Sequence, residues 1–272
     1  MKAIEELAAL VLMHAPAEGS ATALPGVRMM ASETPTEQVS AIYEPAVALV
    51  VQGRKQTLLG EAALSYGAGE YLIVPVEVPV SGQVTEATGP EPFLGVGLEL
   101  KPALIANVLL DETAMGANAD APPPQGPTVA RADDRLVEAF SRLVRLLETP
   151  QEAGFLRPMI EREIVWRLLA GEHGQTVRQI GLADSRLSQV RRAIRRIRAD
   201  YDKPLRMEEL AREAGMSVTS FHRHFRAVTN TSPLQYQKHI RLHEARTRLM
   251  SGDRSVASIG FDVGYDSPSQ FS

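Results

Sequence analysis

The C-terminal end of this chain contains one short layout twice, and that repeat limits the fold more than any other feature. Met207–Val228 reads as a short helix, a tight turn and a second helix. Leu210, Ala211 and Ala214 make the apolar stripe of the first helix, with small Ala211 where two helices must cross closely. Gly215 supplies the positive φ that ends this helix, and Ser217 caps the next one by accepting a backbone N–H. Phe221 and Phe225, four apart, face inward. Leu234–Met250 then reads as a long helix with Tyr236, Ile240, Ala245 and Leu249 inward. From Ser255 the layout restarts: Ser255 caps, Val256 and Ile259 turn inward, and Gly260 takes the close-packing place of Ala211. Gly264 marks the turn, and Ser267 or Asp266 caps a new helix with Phe271 inward. The pattern predicts an all-α C-terminal domain of two helix-turn-helix units joined by a helix.

Just upstream, Asp184 or Ser185 can cap a helix with Leu187, Val190, Ile194, Ile197 and Tyr201 on its inner face, stopped by Pro204. Arg191, Arg192, Arg195, Arg196 and Arg198 lie mainly on its outer face. From Arg178 onward there are 17 Lys/Arg against 10 Asp/Glu, and before it 12 against 23, so a net charge of −4 hides a basic C-terminal third on an acidic body. That asymmetry suits a polyanion partner for the C-terminal third alone, or else a solvated basic helix face.

The chemistry of the second helix of the first unit separates these readings. With Phe221 and Phe225 inward, Thr219, His222, Arg223 and Arg226 are left outside. A recognition helix sets its first two turns against base edges in the major groove. There an Arg can fork onto guanine O6 and N7, worth about 1–3 kcal/mol of discrimination. Thr219 suits a thymine methyl or a phosphate, and Arg226, a turn later, suits a phosphate. One such unit is equally consistent with two ordinary packed helices; the second copy is what favours DNA.

The N-terminal region has a different period. Ala46–Gln52, Gln56–Leu59, Ala62–Tyr66, Tyr71–Val78 and Phe93–Leu100 are short strand-like runs, punctuated by Gly53, Gly60, Gly67, Gly69, Gly82 and Gly89. They predict a barrel or sandwich of antiparallel strands, closed by a helix at Pro102–Leu110. Gly116–Thr128 reads as an extended connection. Beyond it, Leu136, Phe140, Leu143, Val144 and Leu147 share one helical face, and Met159, Ile160, Ile164 and Leu168 another. These two helices form either an extra layer on the strands or a dimer contact. The lone Trp166 suits core rather than a ligand clamp. The whole predicts a two-domain α+β protein divided into residues 1–177 and 178–272.

Composition excludes several classes. There is no Cys, so disulfides, thiol catalysis and thiolate metal sites are out. No apolar run approaches the roughly 20 residues of a spanning helix. Met1–Leu12 carries Glu5 and Glu6 with no small-residue cleavage site in the expected form. The expectation is a cytoplasmic protein without membrane association.

The run of about Arg198–Ser272 resembles the DNA-binding domain of the AraC/XylS family of transcription regulators. It includes Arg241-Leu242-(x2)-Ala245 and Ile259-Gly260-Phe261-(x2)-Gly264-Tyr265-(x5)-Gln270-Phe271. Tyr43–Lys55, Tyr66–Pro75 and Val78–Val80 resemble one N-terminal sensor type of the same family, a cupin-like β-barrel followed by helices over about Ile42–Gly171. The resemblance implies two recognition helices entering successive major-groove segments on one face of promoter DNA. Base-facing positions then fall on Thr219, Ser220, His222 and Arg223, and on Pro268, Ser269 and Ser272. The expected DNA-binding set is Ser217, Thr219, Ser220, His222, Arg223 and Arg226 in the first unit, and Ser267, Pro268, Ser269 and Ser272 in the second. The family normally continues past the position of Ser272, so the second unit is expected to be cut short. The resemblance further implies a small-molecule effector, often a homodimer, and activation of RNA polymerase more often than repression.

A cupin-like barrel could instead be an enzyme. Metal cupins use two or three His and a Glu. The histidines are His14, His173, His222, His224, His239 and His243, none between Ala15 and Glu172, so the barrel has no His-based metal centre. Glu61, Glu70, Glu77, Glu86, Glu91 and Glu99 read mostly as a solvated outer face. No metal, cofactor or catalytic residue is expected. Gln52, Arg54, Lys55 and Tyr71 are the candidate polar groups of an apolar effector pocket, against the alternative that Arg54 and Lys55 point to solvent from a turn. A third reading is a ligand-independent interaction protein.

Overall fold

A computed structural model of the chain describes residues 2–17, 19–60, 62–112, 126–182, 185–251 and 255–265. Two antiparallel sheets form the N-terminal half. Strands β1 (Val27–Ser32), β8 (Phe93–Glu99), β3 (Ala46–Gln52), β6 (Glu70–Val74) and β9 (Thr128–Arg131) lie side by side in that order. The second sheet runs β2 (Val39–Tyr43), β7 (Val78–Glu86), β4 (Arg54–Leu59), β5 (Ala62–Gly67). The sequence predicts the β3–β5 and β8 segments, but the run Tyr71–Val78 breaks between β6 and β7 at Pro75, Val76 and Glu77. Pro75 has no N–H to give a ladder. Strands β1, β2 and β9 escape a local reading because each is specified by its partner, β1 by β8 and β9 by β6.

Strand β3 is a nearly continuous apolar run with Val47, Leu49, Val50 and Val51 all buried. Such a strand needs cover on both faces. One face meets the second sheet. The other is covered by α1 (Lys2–His14), whose Leu7, Leu10 and Val11 are buried and which also packs on α3 (Asp134–Arg145). Helix α2 (Pro102–Glu112) follows β8, and α3 leads to α4 (Pro150–Ala170). Both amphipathic helices pack into the protein, through Leu136, Phe140, Leu143 and Val144, and through Ile160, Ile164, Val165 and Leu168. Met159, expected inward, is 58% exposed, and Trp166, expected in the core, is 43% exposed. The connection read at Gly116–Thr128 falls mainly on residues outside those described, and its last residue opens β9.

Helix α5 (Gly174–Gly181) crosses position 177–178, packing on α2 at one side and α6 (Arg186–Ala199) at the other. The α6 face is as its period indicates: Leu187, Val190, Ile194 and Ile197 are buried, and Ser185 caps it by accepting from the Ser188 N–H. It ends at Ala199, before Pro204 is reached. Then come α7 (Met207–Glu213), α8 (Val218–Thr229), α9 (Pro233–Met250) and α10 (Val256–Asp262). Tyr236, Ile240 and Ala245 of α9 are buried, whereas Leu249 is exposed. Ile259 and Gly260 of α10 are buried but Val256 is not.

The two halves dock directly. The Tyr236 hydroxyl donates to the Glu77 carbonyl at 3.0 Å, and the Arg198 guanidinium pairs with the Glu77 carboxylate. The turn after β4 is equally close: Gly60 has φ +58°, and a Cβ there would lie 2.7 Å from the Asn230 carbonyl oxygen. Gly60→Ala therefore meets both a left-handed backbone penalty and a backbone clash, and should cost about 2 kcal/mol or more in urea unfolding. Gly89→Ala, with open space around it, should leave the unfolding free energy within about 0.5 kcal/mol.

Candidate nucleic-acid interface

The first helix-turn-helix is built from local signals. Leu210, Ala211 and Ala214 are buried, Gly215 adopts φ +66°, and the Ser217 hydroxyl accepts from the Ser220 N–H at 3.3 Å. Behind α8, three rings stack edge to face. Phe221 and Phe225 lie 5.5 Å apart between centroids, as do Phe225 and Tyr236 of α9. Such pairs contribute about 0.5–1.5 kcal/mol beyond area burial and fix the rotation of α8 about its axis.

That rotation sets the outer face. Thr219, His222, Arg223 and Arg226 follow i, i+3, i+4, i+7 spacing and are all exposed, with Ser220 half-buried beside them. The structure brings these sequence-predicted residues together, and Ser217 serves as the cap at their N-terminal end. Among the described residues, neither Arg223 nor Arg226 pairs with a carboxylate, whereas Arg54, Arg142, Arg157, Arg167, Arg196 and Arg198 all do. Two uncommitted guanidiniums on one helix face are available to an outside anion. Behind them, burial, with Arg223 and Arg186 nearby, holds the His224 imidazole below its ordinary pKa. Ser267, Pro268, Ser269 and Ser272 lie outside the described residues.

One set of residues carries a role the sequence reading did not assign. The Arg241 guanidinium donates to the carbonyls of Tyr201 at 2.7 Å, Gly264 at 2.6 Å and Lys203 at 3.2 Å. It also lies 5.6 Å from the Tyr265 ring centroid. Gln237, one turn earlier, donates to the Tyr201 and Lys203 carbonyls at 3.0 and 2.7 Å. These side chains tie the loop after α6 to the turn of the second unit. The available signal was a Gln and an Arg four apart on a helix face that also buries Tyr236 and Ile240.

The expected effector groups are dispersed. Gln52 Nε2 donates to the Pro92 carbonyl at 2.8 Å, and Arg54 Nε donates to Glu86 at 3.1 Å. These two flank the turn at Gly53. The Lys55 ammonium sits 3.8 Å from the Met30 sulfur and 5.7 Å from the Tyr43 ring centroid. Tyr71 is buried with its hydroxyl facing Gly171 beyond α4, and burial, then Glu172 and Asp133, raise its pKa. Gln52, Arg54 and Lys55 thus each have protein partners of their own. Deeper in the barrel the Thr57 and Tyr66 hydroxyls hydrogen bond at 3.1 Å, and burial raises the Tyr66 pKa. Among the described residues no group of three or more His, Asp or Glu is placed to hold a metal, and no helix is long and apolar enough to cross a membrane.

Residues 23–176 match the family model described as the AraC-type transcriptional regulator N-terminus, and residues 210–272 match one described as a helix-turn-helix domain. The chain is 29% identical over 133 residues to the HTH-type transcriptional regulator ArgR of Pseudomonas aeruginosa, covering 48% of this chain and 40% of that protein. It is 28% identical over 82 residues to the HTH-type transcriptional activator RhaS of Mannheimia succiniciproducens, covering 30% and 31%. The chain thus spans less than half the length of these relatives. The crystal structure of unsaturated fatty acid bound wild-type ToxT from Vibrio cholerae strain SCE256 has a similar fold, with a TM-score of 0.55 at 10% identity, covering 90% of this chain and 88% of that one.

Arg241→Met keeps the apolar stem but leaves three carbonyls without their charged donor. It should destabilise the C-terminal domain by about 2 kcal/mol or more, since hydrogen bonds to charged groups contribute about 1.5–3 kcal/mol each and do not add fully. Urea unfolding followed by far-ultraviolet circular dichroism measures it.

Proposed function

The chain belongs to the AraC-type transcriptional regulators, and from that premise we propose that it is a cytoplasmic regulator that reads promoter DNA with α8 in the major groove. The observation that supports this most directly is the exposed face of α8, with Thr219, Ser220, His222, Arg223 and Arg226 together and both arginines free of carboxylates among the described residues. Arg223, in the second turn, reaches base edges, and Arg226, one turn on, holds a phosphate. Ser217 caps the helix at the N-terminal end of this face, beside the duplex. The second unit reads the next groove segment with Ser267, Pro268, Ser269 and Ser272. Residues 178–272 do this work and residues 1–177 regulate it; the reading includes no catalytic role.

Regulation requires a ligand that binds two conformations unequally. ToxT, which shares the fold, was crystallised with an unsaturated fatty acid bound, and this supports a small-molecule effector for the N-terminal half here. RhaS is named an activator, which favours recruitment of RNA polymerase. Self-association has its own support. Phe155, Met159 and Trp166 are 74%, 58% and 43% exposed on the outer side of α4, and their 4- and 7-residue spacing makes one stripe that two copies can bury against each other.

Two measurements test this. In full-length protein, Arg223→Ala should cost specific DNA affinity about 1–3 kcal/mol and relax preference at one base pair, while Arg226→Ala lowers affinity evenly and reduces the salt slope by about one. Equal losses on specific and random DNA for Arg223→Ala would remove the base-reading role. Phe155→Glu should shift a concentration-dependent dimer to monomer in sedimentation velocity; an unchanged profile removes the α4 interface.

A further inference from the structure

Helix α4 has three faces. Ile160, Ile164, Val165 and Leu168 enter the core, and Phe155, Met159 and Trp166 meet solvent. The third face, with Ala153, Gly154, Arg157, Pro158 and Glu161, lines a cavity of about 440 Å³. Its other walls are Leu24 and Pro25 before β1, Leu146 and Leu147 after α3, and Lys101 before α2.

Two wall residues weaken the helix. Gly154 inside a helix costs about 1 kcal/mol relative to Ala. A Cβ at this position would meet nothing within 4 Å, so no neighbour requires its absence. Pro158 has no N–H for the Gly154 carbonyl one turn back. Local rules are broken in this way where a surface serves binding. Both residues keep the cavity open and its wall flat.

The charges in the cavity do not cancel. Arg157 Nε donates to Glu161 at 2.5 Å, and its Nη2 donates to the Pro25 carbonyl, so this pair is internally neutral and clamps the segment before β1 onto α4. Lys101 is exposed at the rim and pairs with no carboxylate among the described residues. One lysine without a carboxylate partner among the described residues therefore lines a largely apolar cavity, whose volume lies in the ~300–1,000 Å³ range of small-molecule sites. The barrel interior differs: Tyr66, Leu72 and Phe93 are fully buried there, and Lys55 is already held against the Met30 sulfur and the Tyr43 ring.

We propose that this cavity, rather than the barrel interior, is the effector site, and that its ligand is an apolar monocarboxylate whose carboxylate meets Lys101. The assignment rests on the sensor reading above for its biological meaning. Bound acid fills the face of α4 opened by Gly154 and replaces the solvent contact of Lys101 with a charge-assisted hydrogen bond.

Titration calorimetry on the full chain tests it, using the straight-chain C6–C10 carboxylates and benzoate, with octanamide as the neutral match to octanoate. At least one carboxylate should bind, with octanamide at least 10-fold weaker than octanoate. Lys101→Met should reduce octanoate to the affinity of octanamide. Gly154→Leu, which improves helix propensity and fills the cavity, should abolish binding while circular dichroism shows the fold intact. Lys55→Met should leave binding unchanged. Absence of binding by every carboxylate overturns the proposal. So does loss of binding in Lys55→Met with retention in Lys101→Met, which would leave the sensor reading standing with its site in the barrel. DNA binding by the wild-type chain, measured separately, reports on the regulator reading itself.

Discussion

Helix α9 must satisfy polar groups on three neighbours at once, and the arrangement of both halves depends on this. Tyr236 donates its hydroxyl to the barrel at Glu77 while its ring closes the stack on Phe225 and Phe221. The next residue, Gln237, and Arg241 one turn on hold the carbonyls of Tyr201 and Lys203, and Arg241 also holds Gly264. Hydrogen bonds from a charged donor such as Arg241 contribute about 1.5–3 kcal/mol each, so these contacts together select one placement of the helix against all three partners. Burial, and then the Glu77 carboxylate, raise the Tyr236 pKa above its ordinary value.

The same helix joins the two halves. Glu77 lies in the break between β6 and β7, where Pro75 has interrupted the ladder, so its carbonyl is available to Tyr236 and its carboxylate to Arg198. Gly60 sets the next turn of the sheet against Asn230, the left-handed residue that ends α8. The barrel turn and the end of α8 are therefore in direct backbone contact. Densely packed elements pass such shifts on as discrete rearrangements.

Legibility in the sequence followed the range of the interactions. The inward faces of α6, α7 and α8, the caps Ser185, Ser217 and Ser255, and the turn at Gly215 were all readable because each is specified within a few residues. The outer face of α8 followed from Phe221 and Phe225 alone. Strands β1 and β9 were not readable, because pairing with β8 and β6 defines them. Helix α1 carried a usable signal in Leu7, Leu10 and Val11, at i, i+3, i+4 spacing. Met159 and Trp166 were misplaced because periodicity locates an apolar stripe but not which edge of it the core covers. Leu249 and Val256 failed similarly, near the small cluster formed by Ala245, Ile259, Val263 and Tyr265.

The amino-acid sequence alone determined that the C-terminal end carries two helix-turn-helix layouts and that Thr219, His222, Arg223 and Arg226 share an outward face. Caps, turns and 3.6-residue periodicity act over one or two turns of chain, and nothing distant is needed to evaluate them. Tertiary structure alone decided which arginines pair with carboxylates among the described residues, that Arg241 holds the second turn, and that the barrel candidates Gln52, Arg54, Lys55 and Tyr71 meet different neighbours. It also decided that the cavity opens against α4. Each of these depends on which carboxylates, carbonyls and side chains arrive from distant segments, and a residue's charge is free or spent only in relation to those neighbours.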